Sequence, residues 1–401
     1  MRKAAAVFTV ISASLLFAGS ADAQMMRDKY NILLLTDLSS SYSESSGPGD
    51  VAAAKLAIEE FGGKINGVPI NLITADTKLD PAVAVNKARE LIDTVGLSQI
   101  TSLSGSSVAL AVGKLANERK VLTTVADAGT TRLTNEDCAK YVFHIGYNTN
   151  AMSIPVKMLI KDGVKKWYLI SADMAFGKSL RDSFAKAIKE SGGELVGEDL
   201  TPFPADEFSS YLLKAKASGA QGVGLLSSGQ DLRNVAKQAY EFGLLEAGIK
   251  IVPGQLNLSD VKGSGAEVWA GSLAALISYW DFDDETRKFA ARFHKMMGFH
   301  PGDTHSSNYV AVREVLKTVE KLGTDDPDKV VAALEGLKTG DAISRNATWR
   351  KKDHMVEHDF YVGEGKQPKD IKDEDYFKII ATIPGAEALG SESESTCKHD
   401  W

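Results

Sequence analysis

Gln99-Ile-Thr-Ser-Leu-Ser-Gly-Ser-Ser-Val-Ala-Leu110 is the stretch whose reading decides the fold. It opens as a short strand over 99–103, turns at Ser104-Gly105 and runs on as a helix over 106–118; a second apolar strand follows at 121–125. Upstream, Asn31-Ile-Leu-Leu-Leu-Thr36 is an apolar run of the kind a buried parallel strand needs. A polar loop over 39–49 follows. Val51, Ala54, Ile58 and Phe61 then recur at helical spacing until Gly62-Gly63 stops the helix. Residues 68–75 read as a strand, and Asp80-Pro81 as a helix start, with Asp as N-cap and Pro in the first turn. Val85, Ala88, Ile92 and Val95 form that helix's apolar stripe.

The same rhythm restarts after residue 141. Strands are expected at 141–145, 167–171, 222–226 and 250–252, and helices at 151–161, 178–190, 208–217 and 231–242. Residues 272–279 continue as strand. Helices follow at 285–297, 306–322 and 327–337, and 347–362 and 376–382 are β-rich. Two runs of β-α units predict an α/β chain of two doubly wound, Rossmann-like lobes with parallel central sheets. No Pro- or Gly-rich linker separates the runs, so ordered crossovers are expected between the lobes. The last residues, 391–401, read as a polar tail.

Met1-Arg2-Lys3, the apolar run from Ala4 to Ala18, and Ala21-Asp22-Ala23 have the three-part layout of a secretory signal peptide over 1–23. The apolar run is too short to span a membrane. No Cys stands at the cleavage point for lipid attachment. The expected compartment is the periplasm. Removing Arg2, Lys3 and Asp22 with the leader takes the net charge from −7 to about −8. That mildly acidic balance, with no basic blocks, argues against nucleic acid and anionic membrane as partners. The two cysteines, Cys138 and Cys397, fit no CxxC pattern, and an oxidising compartment favours a bridge over two free thiols.

Three stretches imitate chemical motifs. Ala172-Asp-Met-Ala-Phe-Gly-Lys-Ser179 ends like a phosphate-binding loop, but Ala172 stands where the loop needs Gly, and Asp173 repels phosphate. His354-Met-Val-Glu-His358 matches H-x-x-E-H, which on a helix would offer a zinc site for a hydrolase. Its surroundings read as turn and strand, which would point Glu357 away from His354 and His358. Asp281, Asp283, Asp284 and Glu285 lack the order of a calcium loop and suit a helix cap instead. No catalytic constellation and no cofactor or metal site follows from these residues.

Ser104-Gly-Ser-Ser107 is a different kind of signal. It lies at the C-terminal edge of a strand, where open α/β sheets bind ligands. A helix start there presents free N–H groups suited to a carboxylate. Ala126-Asp-Ala-Gly-Thr-Thr131 and the 39–49 loop with Tyr42 fall on the same edge of a parallel sheet. Together they predict a binding cleft.

At these residues the chain resembles the branched-chain amino-acid (Leu/Ile/Val-binding) type of periplasmic solute-binding protein. The resemblance is carried by Gly47 with the Ala-rich helix 51–61, and by Ser104 to Leu110. It continues through Ala126 to Thr134, Asp173-Met-Ala-Phe-Gly177, Gln238-Ala-Tyr-Glu-Phe-Gly243 and Lys321-Leu-Gly-Thr-Asp325. The ending, Ala381-Thr-Ile-Pro-Gly385 with a late Cys, is similar to a subgroup that includes aromatic-acid binders. The resemblance implies the type I periplasmic binding protein fold with three hinge crossovers, dividing the chain into 24–145 plus 280–346 for lobe one and 146–279 plus 347–390 for lobe two, with the C-terminal tail at 391–401. It implies a ligand carboxylate held by lobe one at Ser106, Ser107 and the Ala126, Asp127, Gly129 segment. Lobe two would close over it with Tyr147, Phe176, Ser228 and Gln255. Gln255 matches a position that in amino-acid binders often holds an acid for the ammonium, so its amide weakens the case for an α-amino acid. Asp127 departs from the small neutral residues usual there; it either pairs with a cationic group or caps its loop. Trp280 either stacks on a planar ligand or fills the core. The implied role is capture of a small carboxylate, aromatic acid or amino acid, by a monomer that hands it to the permease of an ABC importer. The alternatives are a sensor subunit on the same fold and a metal-dependent hydrolase.

Overall fold

The computed structural model describes residues 24–341, 343–399 and 401. The signal peptide expected at 1–23 lies outside the described residues. Strand Tyr30–Thr36 is buried throughout. Its alternation sends Tyr30, Ile32 and Leu34 into one apolar core and Leu33 and Leu35 into another, as a strand covered on both faces must. Val68–Asp76 pairs with it in parallel on one side and Gln99–Ser102 on the other. Leu122–Val125 and Val142–His144 extend the sheet in parallel, and Lys64–Ile65 closes the far edge antiparallel. Helices Gly47–Glu59 and Asp303–Leu322 cover one face, and Pro81–Thr94 and Ser106–Glu118 the other. The Asp80 side chain accepts the N–H groups of Ala82 and Val83, which fixes the start of the helix that Pro81 opens.

The second sheet runs Lys250–Pro253, Gly222–Leu226, Lys166–Ala172, Glu194–Thr201, all parallel. Here Tyr168 and Ile170 face one core while Trp167 and Leu169 face another. Leu273–Leu276 pairs antiparallel with Phe360–Gly365, which pairs in turn with Phe377–Ile383. The chain passes between the two sets of cores three times. The passages lie between Ile145 and Tyr147, between Ile277 and Phe289, and between Val356 and Phe360.

Four local expectations are corrected. Edge strand Glu194–Thr201 was not anticipated, because its half-exposed Glu-Leu-Val-Gly-Glu-Asp pattern lacks an apolar run. The helix over 151–161 is two helices, Thr149–Met152 and Ile154–Lys161, broken at Ser153 where Pro155 has no N–H to continue the ladder. The helix expected from 306 begins at Asp303. Ala347, Trp349 and Val356, expected in lobe two, pack in the core of the first lobe, where the His144 N–H donates to the His354 carbonyl at 2.9 Å, while Met355 packs in the second set of cores. Cys138 and Cys397 are joined by a disulfide, which ties the tail to the first lobe. Among the described residues no helix is long and apolar enough to cross a membrane.

Candidate functional site

The strand ends of the first sheet share one edge, and four loops leave it there. After Gln99–Ser102, Ser102 and Leu103 both take positive φ, at 73° and 64°, a conformation uncommon for residues with a side chain. The Leu103 N–H on Leu35 O (2.7 Å) and the Gly105 N–H on Asp127 O (2.9 Å) hold this turn. It delivers Gly105 as N-cap of the helix Ser106–Glu118, which has no side-chain cap. The helix's opening N–H groups therefore face the loop edge without a side-chain acceptor. Ser106 Oγ accepts the Thr130 N–H at 3.2 Å and so ties two loops together. Ser107 is half-buried and Ala126 fully buried.

Asp127 is tied to the loops around it. Its carboxylate accepts hydrogen bonds from Ser104 Oγ and Ser46 Oγ, joining three loops of the first lobe. Burial raises its pKa to about 6 against the pull of those two hydroxyls, with nearby Asp37 adding to the rise. Asp37 itself accepts the N–H groups of Ser40 (2.9 Å) and Tyr42 (2.8 Å) and shapes the 39–46 turn that presents Tyr42.

Two helices of the second lobe start opposite. Ala175–Glu190 follows Met174, and Gly229–Glu241 follows Ser228; neither has a side-chain cap. Tyr147, on the first crossover, donates its hydroxyl to Gln255 Oε1 at 2.7 Å. Its ring meets that of Phe176 edge-on with centroids 6.3 Å apart. Gly129 makes this approach possible, since a Cβ there would lie 2.5 Å from Tyr147 and 2.7 Å from Phe176 ring carbons. Tyr42 reaches across to Met174 Sδ at 3.5 Å and lies with its ring centroid 6.1 Å from Phe203. Beside it, the Gln230 N–H donates to Ser41 O at 3.0 Å. Glu44 and Arg233 add an ion pair of 3.1 Å. The two lobes are thus in contact around one group: Tyr42, Asp127, Gly129, Tyr147, Phe176, Gln255 and the helix start at Ser228. Burial raises the pKa of the Tyr147 hydroxyl, and the charges of Asp127, Tyr42 and Asp303 raise it further. Gln255 Nε2 is buried with no hydrogen-bond partner.

Trp280 lies outside this group and packs in the second-lobe core, the second of the two roles expected for it. Its ring stacks on His300 with centroids 3.6 Å apart and planes within 2°. His300 borders a neighbouring cleft of about 400 Å³ together with Ser46, Asn257 and His305. Sequence reasoning missed Asp37, Ser46, Met174 and Asp303. Asp303 Oδ1 accepts the Ser278 N–H at 3.1 Å, while Oδ2 is buried without a partner. Burial raises its pKa to about 7. The signal was present in Gly302-Asp303-Thr304, a helix start hidden by placing the helix from 306.

The motif imitations resolve locally. Gly177 packs its helix turn onto strand Lys166–Ala172: a Cβ there would lie 2.1 Å from Ala172 O. His354 has φ 56° and is not helical. Glu357 pairs with Arg350 at 2.7 Å, and His358 Nε2 contacts Gly146 O at 2.6 Å, so the three residues do not converge. Asp283 caps helix Asp284–Met297 through the N–H groups of Glu285 and Thr286.

Residues 29–371 match a family model described as periplasmic binding protein. A periplasmic binding protein from Burkholderia mallei is 35% identical, with a TM-score of 0.89 over 93% of this chain and 100% of its own. A protein from Burkholderia xenovorans LB400, described as a branched chain amino acid ABC transporter periplasmic ligand-binding protein, is 37% identical. Its TM-score is 0.84 over 93% of this chain and 100% of its own. An ABC-transporter solute-binding protein from Rhodopseudomonas palustris BisB5, solved with 3,4-dihydroxybenzoic acid, shares the fold. It has 23% identity and a TM-score of 0.82 over 90% of this chain and 98% of its own.

Proposed function

Because this chain belongs to the periplasmic binding protein family, we propose that its ligand is a small aromatic carboxylate, captured between the lobes by hinge closure. The chain is a solute-binding component of an ABC transporter. One observation carries the choice of ligand. Tyr147 occupies Gln255 Oε1 and leaves the buried Nε2 as an unused donor. A buried donor without a partner costs about 1–3 kcal/mol, and an incoming acceptor recovers it. The uncapped helix starts at Ser106, Ala175 and Gly229 add N–H groups and positive dipole ends. Tyr42, Tyr147 and Phe176 supply flat apolar surface. A carboxylate answers the donors and an aromatic ring answers the rest; the protein from Rhodopseudomonas palustris BisB5 has such a ligand.

Closure needs no covalent chemistry. Ligand bound to both lobes shifts an open–closed equilibrium toward the closed form, and periplasmic binding proteins are the standing example of that motion. The closed monomer would then dock on its permease, after secretion to the periplasm. A second reading, an aliphatic amino acid, is supported by buried Asp127 and Asp303, either of which would hold an ammonium group, and by the name of the Burkholderia xenovorans LB400 protein. Calorimetric titration of the mature protein with benzoate, 4-hydroxybenzoate and leucine separates the two. Saturable heat with the benzoates and none with leucine is expected. The converse result would establish the second reading, and silence with all three would remove both.

A further inference from the structure

We infer that Glu335, His354 and His399 form a binding site for one zinc ion, a clasp between the C-terminal tail and the first lobe. The three offer ligand atoms that all lie within 4.8 Å of one another. His354 Nε2 and Glu335 Oε1 are 3.2 Å apart. With metal–ligand bonds of about 2.0–2.1 Å, two ligands on a tetrahedral zinc sit roughly 3.4 Å apart, so this pair already spans one edge. Glu335 and His399 are half-buried, and no pair of ligand atoms is more than 4.8 Å apart.

The supporting contacts are those that metal-binding histidines need. His354 Nδ1 lies 3.3 Å from Val142 O and His399 Nδ1 lies 3.2 Å from Lys352 O. An Nδ1–H donated to a carbonyl fixes the tautomer and leaves Nε2 as the free lone pair on both rings. His354 is buried and stacked on Phe143 with centroids 4.1 Å apart, so its ring direction is set. His399 is brought there from the far end of the chain. The Cys138–Cys397 bridge anchors the tail two residues earlier, and Ser395 Oγ bonds Thr134 O at 2.6 Å. Trp401 packs beside both rings, its centroid 4.5 Å from that of His399 and 5.2 Å from that of His354. One cation already faces the cluster: Lys351 Nζ is 3.8 Å from Glu335 Oε2, the oxygen that does not face His354. Two imidazoles and a carboxylate suit zinc, and a fourth position remains for water. All three residues lie away from the interlobe group, so the site does not depend on the solute assigned above.

Equilibrium dialysis of untagged, chelator-stripped mature protein against zinc, read by atomic absorption, tests this. One zinc per chain is expected. His399→Ala and Glu335→Gln should each weaken binding about tenfold or more, while the solute titration stays unchanged and shows that the variants are folded. His294→Ala is the control, because His294 and His300 form a second histidine pair with ring centroids 4.8 Å apart. Failure of the parent to retain zinc overturns the site. So does unaltered affinity in His399→Ala, or a loss in His294→Ala alone.

Discussion

Gln255 and Tyr147 hold the energetic centre of the interlobe group. Tyr147→Phe keeps the ring and strips the donor from Gln255 Oε1, leaving two unpaired amide atoms where the parent has one. A loss of about 1–3 kcal/mol is expected, seen as a lower melting temperature in the absence of solute. Gln255→Glu places a carboxylate where the proposed ligand has one. Affinity for benzoates should fall at least tenfold, about 1.4 kcal/mol, in a calorimetric titration. Asp303 sets a pH dependence. Its pKa is about 7 in the folded chain against 3.8 as a free carboxyl. The folded state therefore keeps a proton that the unfolded chain has lost, and stability falls as pH rises from about 4 through 7. Asp303→Asn removes that loss and keeps Oδ1 on the Ser278 N–H. Its melting temperature should exceed the parent's at pH 8 and approach it near pH 4. At this scale the sequence named Gln255 and Tyr147 separately, but their bond joins residues 108 positions apart, which no local pattern carries.

Elements were legible where the signal was local. Asp80-Pro81 announced its helix, and the Asp80 side chain caps it. Asp80→Ala should cost about 1 kcal/mol, read as a lower denaturation midpoint with solute affinity unchanged. Edge strand Glu194–Thr201 was not legible, since its formation depends on pairing with Lys166–Ala172 rather than on its own composition. Gly229 belongs to both levels. It starts a helix with φ +60°, and a Cβ would lie 2.3 Å from Ser41 O in the opposite lobe. Gly229→Ala should hold the lobes apart and lower solute affinity about tenfold, with the fold retained; small-angle scattering in the presence of solute would show the wider form. A normal affinity would mean that this contact does not accompany binding.

At the scale of the whole molecule, two parallel-stranded sheets covered on both faces are joined by three passages, flanked by two small antiparallel sheets and clipped at the tail. The Cys138–Cys397 bridge spans 259 positions within that plan. Replacing both cysteines by Ala should cost about 2–5 kcal/mol in denaturant unfolding without altering solute affinity, because the bridge joins the tail to the first lobe alone. By itself the sequence determined the α/β rhythm, the two runs of β-α units and the loops that gather at the strand ends. These follow from the spacing of apolar residues and from caps, which are properties of neighbours in the chain. Only the tertiary structure decided that Ala347, Trp349 and Val356 return to the core of the first lobe and that Asp127 binds Ser46 and Ser104. It also decided that Trp280 turns to His300, and that His354 meets Glu335 and His399 instead of His358. Each of these is a contact between distant segments. Such contacts are set by which surfaces of the folded chain pack against each other, and that information is absent from any single stretch of chain.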